Sequence, residues 1–238
     1  MCKLIIKNHK KDKAVIGGRV KFVVLFRNWI HQGFFYLDRT EKFYRVIWEL
    51  IPAMLMVWLL YSIGVIWWLN VILSLFIAHT LNWIFNDNFW TCIQFTLPNK
   101  LNPGNDKTKV YLEGMQNRMR KNKSIGGCMV YGSLSRGMWN DKSDLDIRVL
   151  RLGGFYNGLI GYLVVWRERL IALWEGQPLD IYLADNIEYL CRMREDEFPI
   201  FIKSRDMRIN SLYGRWRDVS EVDFSKISCI NELARLES

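Results

Sequence analysis

The chain lacks charge over one long stretch. Leu50–Asn86 comprises 37 residues without a single Asp, Glu, Lys or Arg. As one helix it would reach about 55 Å at ~1.5 Å per residue, well beyond a hydrocarbon core of ~30 Å. Two short spans or a re-entrant hairpin with a bend near Gly64–Asn70 therefore fit better, and a helical hairpin buried inside a soluble protein is the alternative. We do not expect a secretory signal, because the segment starts too late and runs too long for one.

Paired cysteines are also lacking. The five cysteines are scattered along the chain, and none of them forms a CxxC pair. Neither a disulfide framework nor a zinc site is therefore indicated. Reduced thiols in a cytosolic domain are the simplest interpretation.

The net charge of +9 is distributed unevenly. Residues 1–49 carry eleven basic and four acidic residues, whereas residues 100–238 carry 22 basic and 19 acidic ones. A basic excess beside an apolar segment is typical of the cytoplasmic flank of a membrane protein, and less so of a nucleic-acid groove. Nucleic acid is therefore not an expected partner. Within this flank, Arg19–Val46 mixes aromatic and basic residues, which predicts an amphipathic helix on the membrane surface or an ordinary packed helix.

The rest of the chain suggests four regions. A basic amphipathic region (1–49) precedes the hydrophobic hairpin (50–97), a linker (98–108) with proline, glycine and asparagine follows, and the last region (109–238) alternates strand and helix patterns. Such alternation predicts an α/β or α+β layer structure. The predicted helices are 109–121, 155–176, 185–196 and one within 219–236, with a short helix start at 133–137; the predicted strands are 127–132, 144–151, 178–184 and 198–204.

Two aspartates share one face of a predicted strand. Asp144 and Asp146 lie two residues apart and project together, whereas Leu145 and Ile147 face the other way. Neighbouring carboxylates repel each other unless a cation neutralises them, and Mg²⁺ is a hard ion that prefers such oxygen ligands and substrate phosphates. Arg148 shares their face, where it would either bind phosphate or only neutralise the acids.

A Gly-Ser turn precedes these acids. Gly132 and Ser133 follow an apolar strand and open a predicted helix. Glycine lets an anion approach the backbone closely, the Ser133 hydroxyl adds a donor, and the helix N-terminus favours negative charge. Arg136 lies one turn further and would add charge to the same anion. Turn and acids together indicate phosphoryl or nucleotidyl transfer with a metal.

A third acid would complete a two-metal site. Asp180 lies on the next predicted strand, and a strand–helix–strand unit would set that strand near the strand of Asp144 and Asp146. As a metal ligand, Asp180 would also help to deprotonate an attacking hydroxyl. Asp185 is the rival for this role, but a cap for the helix that follows explains it better.

The motifs resemble a known family. The stretches GSLSRG (Gly132–Gly137) and SDLDI (Ser143–Ile147) are similar to the signature of the DNA polymerase β superfamily of nucleotidyltransferases, and most of all to its small minimal members. Over about 109–204 the resemblance implies an α+β fold with a small mixed sheet and flanking helices, here preceded by the hydrophobic helical hairpin. It further implies that Gly132 and Ser133 hold a nucleoside triphosphate, that Arg136 assists them, and that Asp144, Asp146 and Asp180 bind two Mg²⁺ ions. The membrane segment departs from the usual minimal members.

These observations lead to one expected function and two alternatives. We expect a membrane-associated nucleotidyltransferase that moves a nucleoside monophosphate to an acceptor hydroxyl or phosphate, with Mg²⁺ and release of pyrophosphate. Its acceptor would be a lipid, a lipid-linked sugar or another glycan brought by the membrane. Because nucleotide is cytoplasmic, both the N-terminus and the catalytic domain should be cytoplasmic, which requires an even number of crossings. The alternatives are a non-catalytic nucleotide-binding sensor or antitoxin-like module with a membrane anchor and, less favoured by the modest charge of the domain, RNA end modification.

Overall fold

A computed structural model describes residues 18–86, 90, 103–190, 197–205, 209, 211, 213 and 216–224. Within these ranges the chain forms three N-terminal helices followed by strands and helices in alternation. The helices are α1 (Gly18–His31), α2 (Arg39–Ser62), α3 (Trp67–Phe85), α4 (Asn105–Lys121), α5 (Gly132–Ser135), α6 (Phe155–Glu175) and α7 (Ile187–Leu190). The strands are β1 (Ile125–Tyr131), β2 (Leu145–Arg151), β3 (Leu179–Ala184), β4 (Ile200–Ser204) and β5 (Arg217–Asp218), and short 3₁₀ turns lie at Phe34–Tyr36 and Val219–Glu221.

The five strands form one mixed sheet in the order β3-β2-β1-β4-β5. Strand β1 is antiparallel to both β2 and β4, whereas β2 and β3 are parallel, as are β4 and β5. This confirms the predicted α+β class with a small mixed sheet, flanking helices and two preceding apolar helices. The finer prediction of a nucleotidyltransferase fold stays a prediction.

The apolar residues of the strands explain how the sheet is buried. In β2 and β3 buried residues alternate with partly exposed ones, so that one face of each strand enters the main core. Helices α4 and α6 cover that face with side chains such as Leu112, Met115 and Val165. The opposite face carries a smaller cluster around Tyr131, Phe201 and Leu190. The side chains of Asp146 and Asp180 therefore lie on the face away from α4 and α6.

Helices α2 and α3 form the predicted hairpin. The chain turns at Ile63–Ile66, where Gly64 has a φ of +80°, so the bend lies within the expected region. Both helices are long and apolar enough to cross a membrane by length and composition. They meet through a polar seam, because the Asn70 side chain donates to the Val57 carbonyl at 2.9 Å and Ser74 donates to Asn70 at 3.1 Å. Much of the outer surface is apolar and exposed, including Met54 and Trp67.

The basic N-terminal region differs from the single helix predicted over 19–46. Gln32 and Gly33 have φ values of +44° and +68°, which end α1 and redirect the chain. Helix α2 then starts after Asp38, whose side chain accepts a hydrogen bond from the Arg39 amide at 2.9 Å. Because α2 continues to Ser62, the boundary expected between residues 49 and 50 lies inside one helix.

Other predicted boundaries shift by a few residues. Helix α4 begins at Asn105, inside the expected linker, of which residues 98–102 lie outside the described residues. Of the helix predicted over 185–196, the structure gives Ile187–Leu190, and residues 191–196 lie outside the described part. The helix predicted within 219–236 falls mostly beyond the described residues as well.

The start of α2 covers the outer edge of the sheet. The Glu41 carboxylate accepts a hydrogen bond from the Leu183 amide at 2.7 Å, and Asp38 accepts one from the Asp185 amide at 2.9 Å. These bonds satisfy backbone groups that the edge strand β3 would otherwise leave open. Helix α2 therefore both covers the edge strand of the sheet and continues into the first apolar span.

Candidate active site

The Gly-Ser turn is built around a close approach that only glycine allows. Gly132 has a φ of +70°, and a Cβ atom added there would lie 1.8 Å from Oδ2 of Asp146. The two are neighbours because Tyr131, at the end of β1, is paired with Asp146 in β2. The turn and the strand acids, predicted from separate motifs, therefore meet in direct contact.

The three predicted acids gather at one end of the sheet. Asp146 and Asp180 are direct partners in the parallel register of β2 and β3, and Asp144 immediately precedes β2. Burial, and then the negative charges of Asp144 and Asp180, raise the pKa of Asp146 to about 8. Repulsion of this kind is what a nearby cation would relieve.

The side chains do not yet form a ready cluster of metal ligands. Within the described ranges, no group of three or more His, Cys, Asp or Glu side chains is arranged so that it could hold a metal ion. The backbone register nevertheless sets Asp146 beside Asp180 on neighbouring strands. The prediction that these acids bind Mg²⁺ stays a prediction.

Arg148 lies on the same face as the acids. Its guanidinium carbon is 4.4 Å from the centre of the Tyr182 ring and 5.8 Å from that of Tyr131. Although burial opposes its charge, the carboxylates of Asp180 and Asp146 raise the pKa of Arg148. Arg148 therefore neutralises part of the acidic charge, which favours that interpretation over a primary role in phosphate binding.

Ser133 presents an unpartnered hydroxyl. Its Oγ atom is buried and has no hydrogen-bond partner among the described residues. A buried hydroxyl without a partner is unfavourable, so this atom is suited to a ligand oxygen. The helix that follows, α5, has only four residues, so the expected contribution of a helix dipole is small and the serine hydroxyl is the stronger feature.

Arg136 turns back onto the loop that it follows. Its Nε donates to the Gly132 carbonyl at 3.2 Å and lies 3.8 Å from a carboxylate oxygen of Glu197. In this position Arg136 braces the Gly-Ser turn. The predicted contact of Arg136 with a nucleotide stays a prediction.

Asp185 does not cap the helix after it, so that interpretation was wrong. Its carboxylate accepts hydrogen bonds from the Thr40 amide at 2.9 Å and from Arg151 Nε at 2.6 Å. These bonds, working against burial, lower the pKa of Asp185. Asn186 supplies the side-chain bond to the Tyr189 amide instead, at 3.3 Å. Asp185 follows the far end of β3, away from Asp180, and joins the sheet to α2.

Sequence reasoning missed Glu197 as a member of the site. Its negative charge contributes to the raised pKa of Asp146, after those of Asp144 and Asp180. The residue lies just before β4, whose start is paired with the end of β1 beside the Gly-Ser turn. An acid directly before a strand entering at this end of the sheet was the available signal.

Comparisons with known protein families, with curated proteins and with solved structures find no match for this chain. The geometry of the site is therefore the basis for a functional conclusion.

Proposed function

We propose that the chain is a membrane-associated, Mg²⁺-dependent nucleotidyltransferase. The observation that carries the proposal is the contact between the Gly-Ser turn and the acids, in which Gly132 lies directly against the Asp146 carboxylate and Asp180 is its strand neighbour. A phosphate-binding turn in contact with a set of acids is what transfer of a phosphorus group requires.

The residues fit Mg²⁺ by their chemistry. Carboxylate oxygens are hard ligands, and Asp146 carries like charges as neighbours that Arg148 offsets in part. Asp144, Asp146 and Asp180 would hold the metal, as two ions in the arrangement that the family resemblance implies. Bound Mg²⁺ would neutralise these acids and withdraw charge from the phosphates.

The residues of the chain would then act as follows. The Ser133 hydroxyl donates a hydrogen bond to a phosphate oxygen of the nucleoside triphosphate. Gly132 leaves room for that phosphate and for Asp146. The oxygen of the acceptor hydroxyl bonds to the α-phosphorus, and Asp180 accepts the proton of that hydroxyl. The bond from the α-phosphorus to the β-phosphate oxygen breaks, which releases pyrophosphate.

The membrane assignment belongs to the same proposal. Only 17% of the apolar window of α2 and 22% of that of α3 are buried within the chain. A core helix of a soluble protein would be largely buried, so lipid is the natural environment for these surfaces. A hairpin that enters and leaves the membrane on one side, whether re-entrant or spanning twice, would keep the basic N-terminal region and the catalytic domain together on the cytoplasmic side, where nucleotide is available.

The experiment is pyrophosphate release by the full-length protein in native membranes, with each nucleoside triphosphate in turn. We expect Mg²⁺-dependent release that falls by at least about 100-fold in Asp144→Asn and Asp146→Asn, because each change removes a metal ligand. Asp106→Asn, at an exposed position in the first turn of α4, is the matched control and should not change the rate. Nucleotide binding by calorimetry without turnover would instead support the sensor alternative, and the same rate in all variants would refute the mechanism.

A further inference from the structure

Helix α2 joins the catalytic domain to the membrane hairpin by a rigid contact. The buried Arg169 of α6 donates to Glu41 at 2.6 Å, to the Ile181 carbonyl at 2.6 Å and to the Asn86 side chain, which follows α3, at 2.9 Å. Charged groups this deeply buried hold their partners in fixed positions. These contacts therefore fix the level of the candidate site along α2.

Three contacts give the direction of α2. The added Cβ of Gly158 would lie 3.3 Å from the Thr40 side chain, and the rings of Tyr44 and Tyr162 stack with 5.2 Å between their centres. One turn further along both helices, the rings of Trp48 and Trp166 are 4.8 Å apart. The separation in sequence is the same for each pair, so α2 and α6 run parallel and in register over this stretch.

Helix α6 relates this direction to the sheet. A Cβ at Gly161 would lie 3.2 Å from the Leu183 side chain, near the far end of β3. Helix α6 ends at Glu175, just before β3 begins at Leu179, so α6 is antiparallel to β3. Because α2 is parallel to α6, α2 travels towards the strand ends that carry Asp146 and Asp180.

The level of the site follows from standard dimensions. Asp180 is three residues before Leu183, a distance of about 10 Å along a strand at ~3.3 Å per residue. The same distance along a helix is about seven residues at ~1.5 Å each, which leads from Gly161 to Glu168. In the register of the paired contacts, Glu168 of α6 stands beside Leu50 of α2. Leu50 is the first residue of the charge-free segment, so Asp180 lies at the level where α2 enters it.

From this level we infer that the acceptor is the polar headgroup of a membrane lipid, an inference that rests on the proposed nucleotidyl transfer. Lipid hydroxyl and phosphate groups lie at the interface where an apolar helix enters the bilayer. Trp174, six residues beyond Glu168 on α6 and so about 9 Å further in the same direction, is 91% exposed, and tryptophan is enriched in the interfacial region of the bilayer. In the reaction a headgroup hydroxyl or phosphate oxygen bonds to the α-phosphorus, the proton of a hydroxyl passes to a carboxylate, and the bond from the α-phosphorus to the β-phosphate oxygen breaks, so that pyrophosphate leaves.

The chemical test uses native membranes that contain the full-length protein and nucleoside triphosphates labelled at the α-phosphate. We expect label in the chloroform-soluble lipid fraction in amounts equal to the pyrophosphate released, and none with Asp146→Asn. Pyrophosphate release that depends on Asp146, with label only in protein or water-soluble products, would overturn the lipid inference and leave the proposed function standing. No release with any nucleotide would refute the proposed function, and the lipid inference with it.

A spacer variant tests the level of the site. Seven polar helical residues inserted after Leu50 and seven before Ala78 would raise the domain by about 10 Å while keeping Glu49 beside His79. We expect lipid labelling to fall at least 10-fold, whereas transfer to a water-soluble, short-chain form of the labelled lipid continues in detergent. Undiminished lipid labelling would overturn the inference.

A third measurement does not depend on activity. A nitroxide attached through Trp174→Cys, with the native cysteines replaced by serine, should be more accessible to oxygen than to a water-soluble nickel reagent in membranes. In the spacer variant the nitroxide should be more accessible to the nickel reagent than to oxygen. Preferential access of the nickel reagent in the protein without the spacer would place the site away from the membrane and overturn the inference.

Discussion

Buried charge occurs in two regions of this chain, and its surroundings differ. At the junction of α2 with the sheet, Glu41 is fully buried and accepts hydrogen bonds from Arg45, Arg169 and the Leu183 amide. At the candidate site, the charges of Asp144 and Asp180 have the largest electrostatic effect on the pKa of Asp146 and raise it, and the Ser133 hydroxyl has no partner within the described chain.

This difference separates a structural role from a binding role. A buried ion pair with all its hydrogen bonds made within the chain holds two elements together and needs nothing from outside. A buried acid with like-charged neighbours is instead complete only when a cation or substrate is bound. Changes at the junction should therefore lower stability, and changes at the site should lower activity.

The largest effect on stability is expected at the junction. Arg169→Met leaves the Glu41 carboxylate buried with one of its charged partners gone, which should cost about 3 kcal/mol. For a chain of this size that corresponds to a fall in Tm of about 6–12 °C in thermal unfolding of the detergent-solubilised protein. Arg39→Met is the matched control, because Arg39 lies at an exposed position at the start of α2, and it should cost less than about 1 kcal/mol. Equal losses of stability in the two variants would contradict the structural role that we assign to the buried charges of the junction.

The next prediction compares alanine variants of two glycines that share a backbone conformation. Gly132 and Gly137 have φ values of +70° and +72°, but only at Gly132 would an added Cβ meet Asp146. Both alanine variants should lose about 1 kcal/mol of stability from the left-handed conformation. Only Gly132→Ala displaces the carboxylate, so it alone should reduce pyrophosphate release, by about 100-fold. A similar loss in Gly137→Ala would mean that the Gly132–Asp146 contact has no special role.

The same contrast explains what the sequence could predict. The site depends on short-range patterns: Asp144 and Asp146 alternate with apolar residues, and a glycine ends the preceding strand, so both features are visible in a few residues. The junction depends on contacts such as Glu41 with Arg169, which are far apart in sequence and follow no local period. Asp185 was misassigned for this reason, because its partner Thr40 lies in another region of the chain. The order of the strands, which brings Glu197 to the site, is likewise a long-range property.

The smallest effects are expected for alanine variants of two serines in the same short helix. Ser135 Oγ donates to the Gly132 carbonyl at 2.9 Å, whereas Ser133 Oγ has no partner among the described residues. Ser135→Ala should therefore lower the free energy of unfolding by about 1 kcal/mol and leave the KM for nucleotide nearly unchanged. Ser133→Ala removes a buried hydroxyl that bonds to none of the described residues, so stability should stay the same or rise slightly. Because that hydroxyl would donate to a charged phosphate, KM should rise by about 10-fold or more. A loss of stability in Ser133→Ala with an unchanged KM would show that the serine belongs to the folded framework, as the charges at the junction do, and not to a nucleotide site.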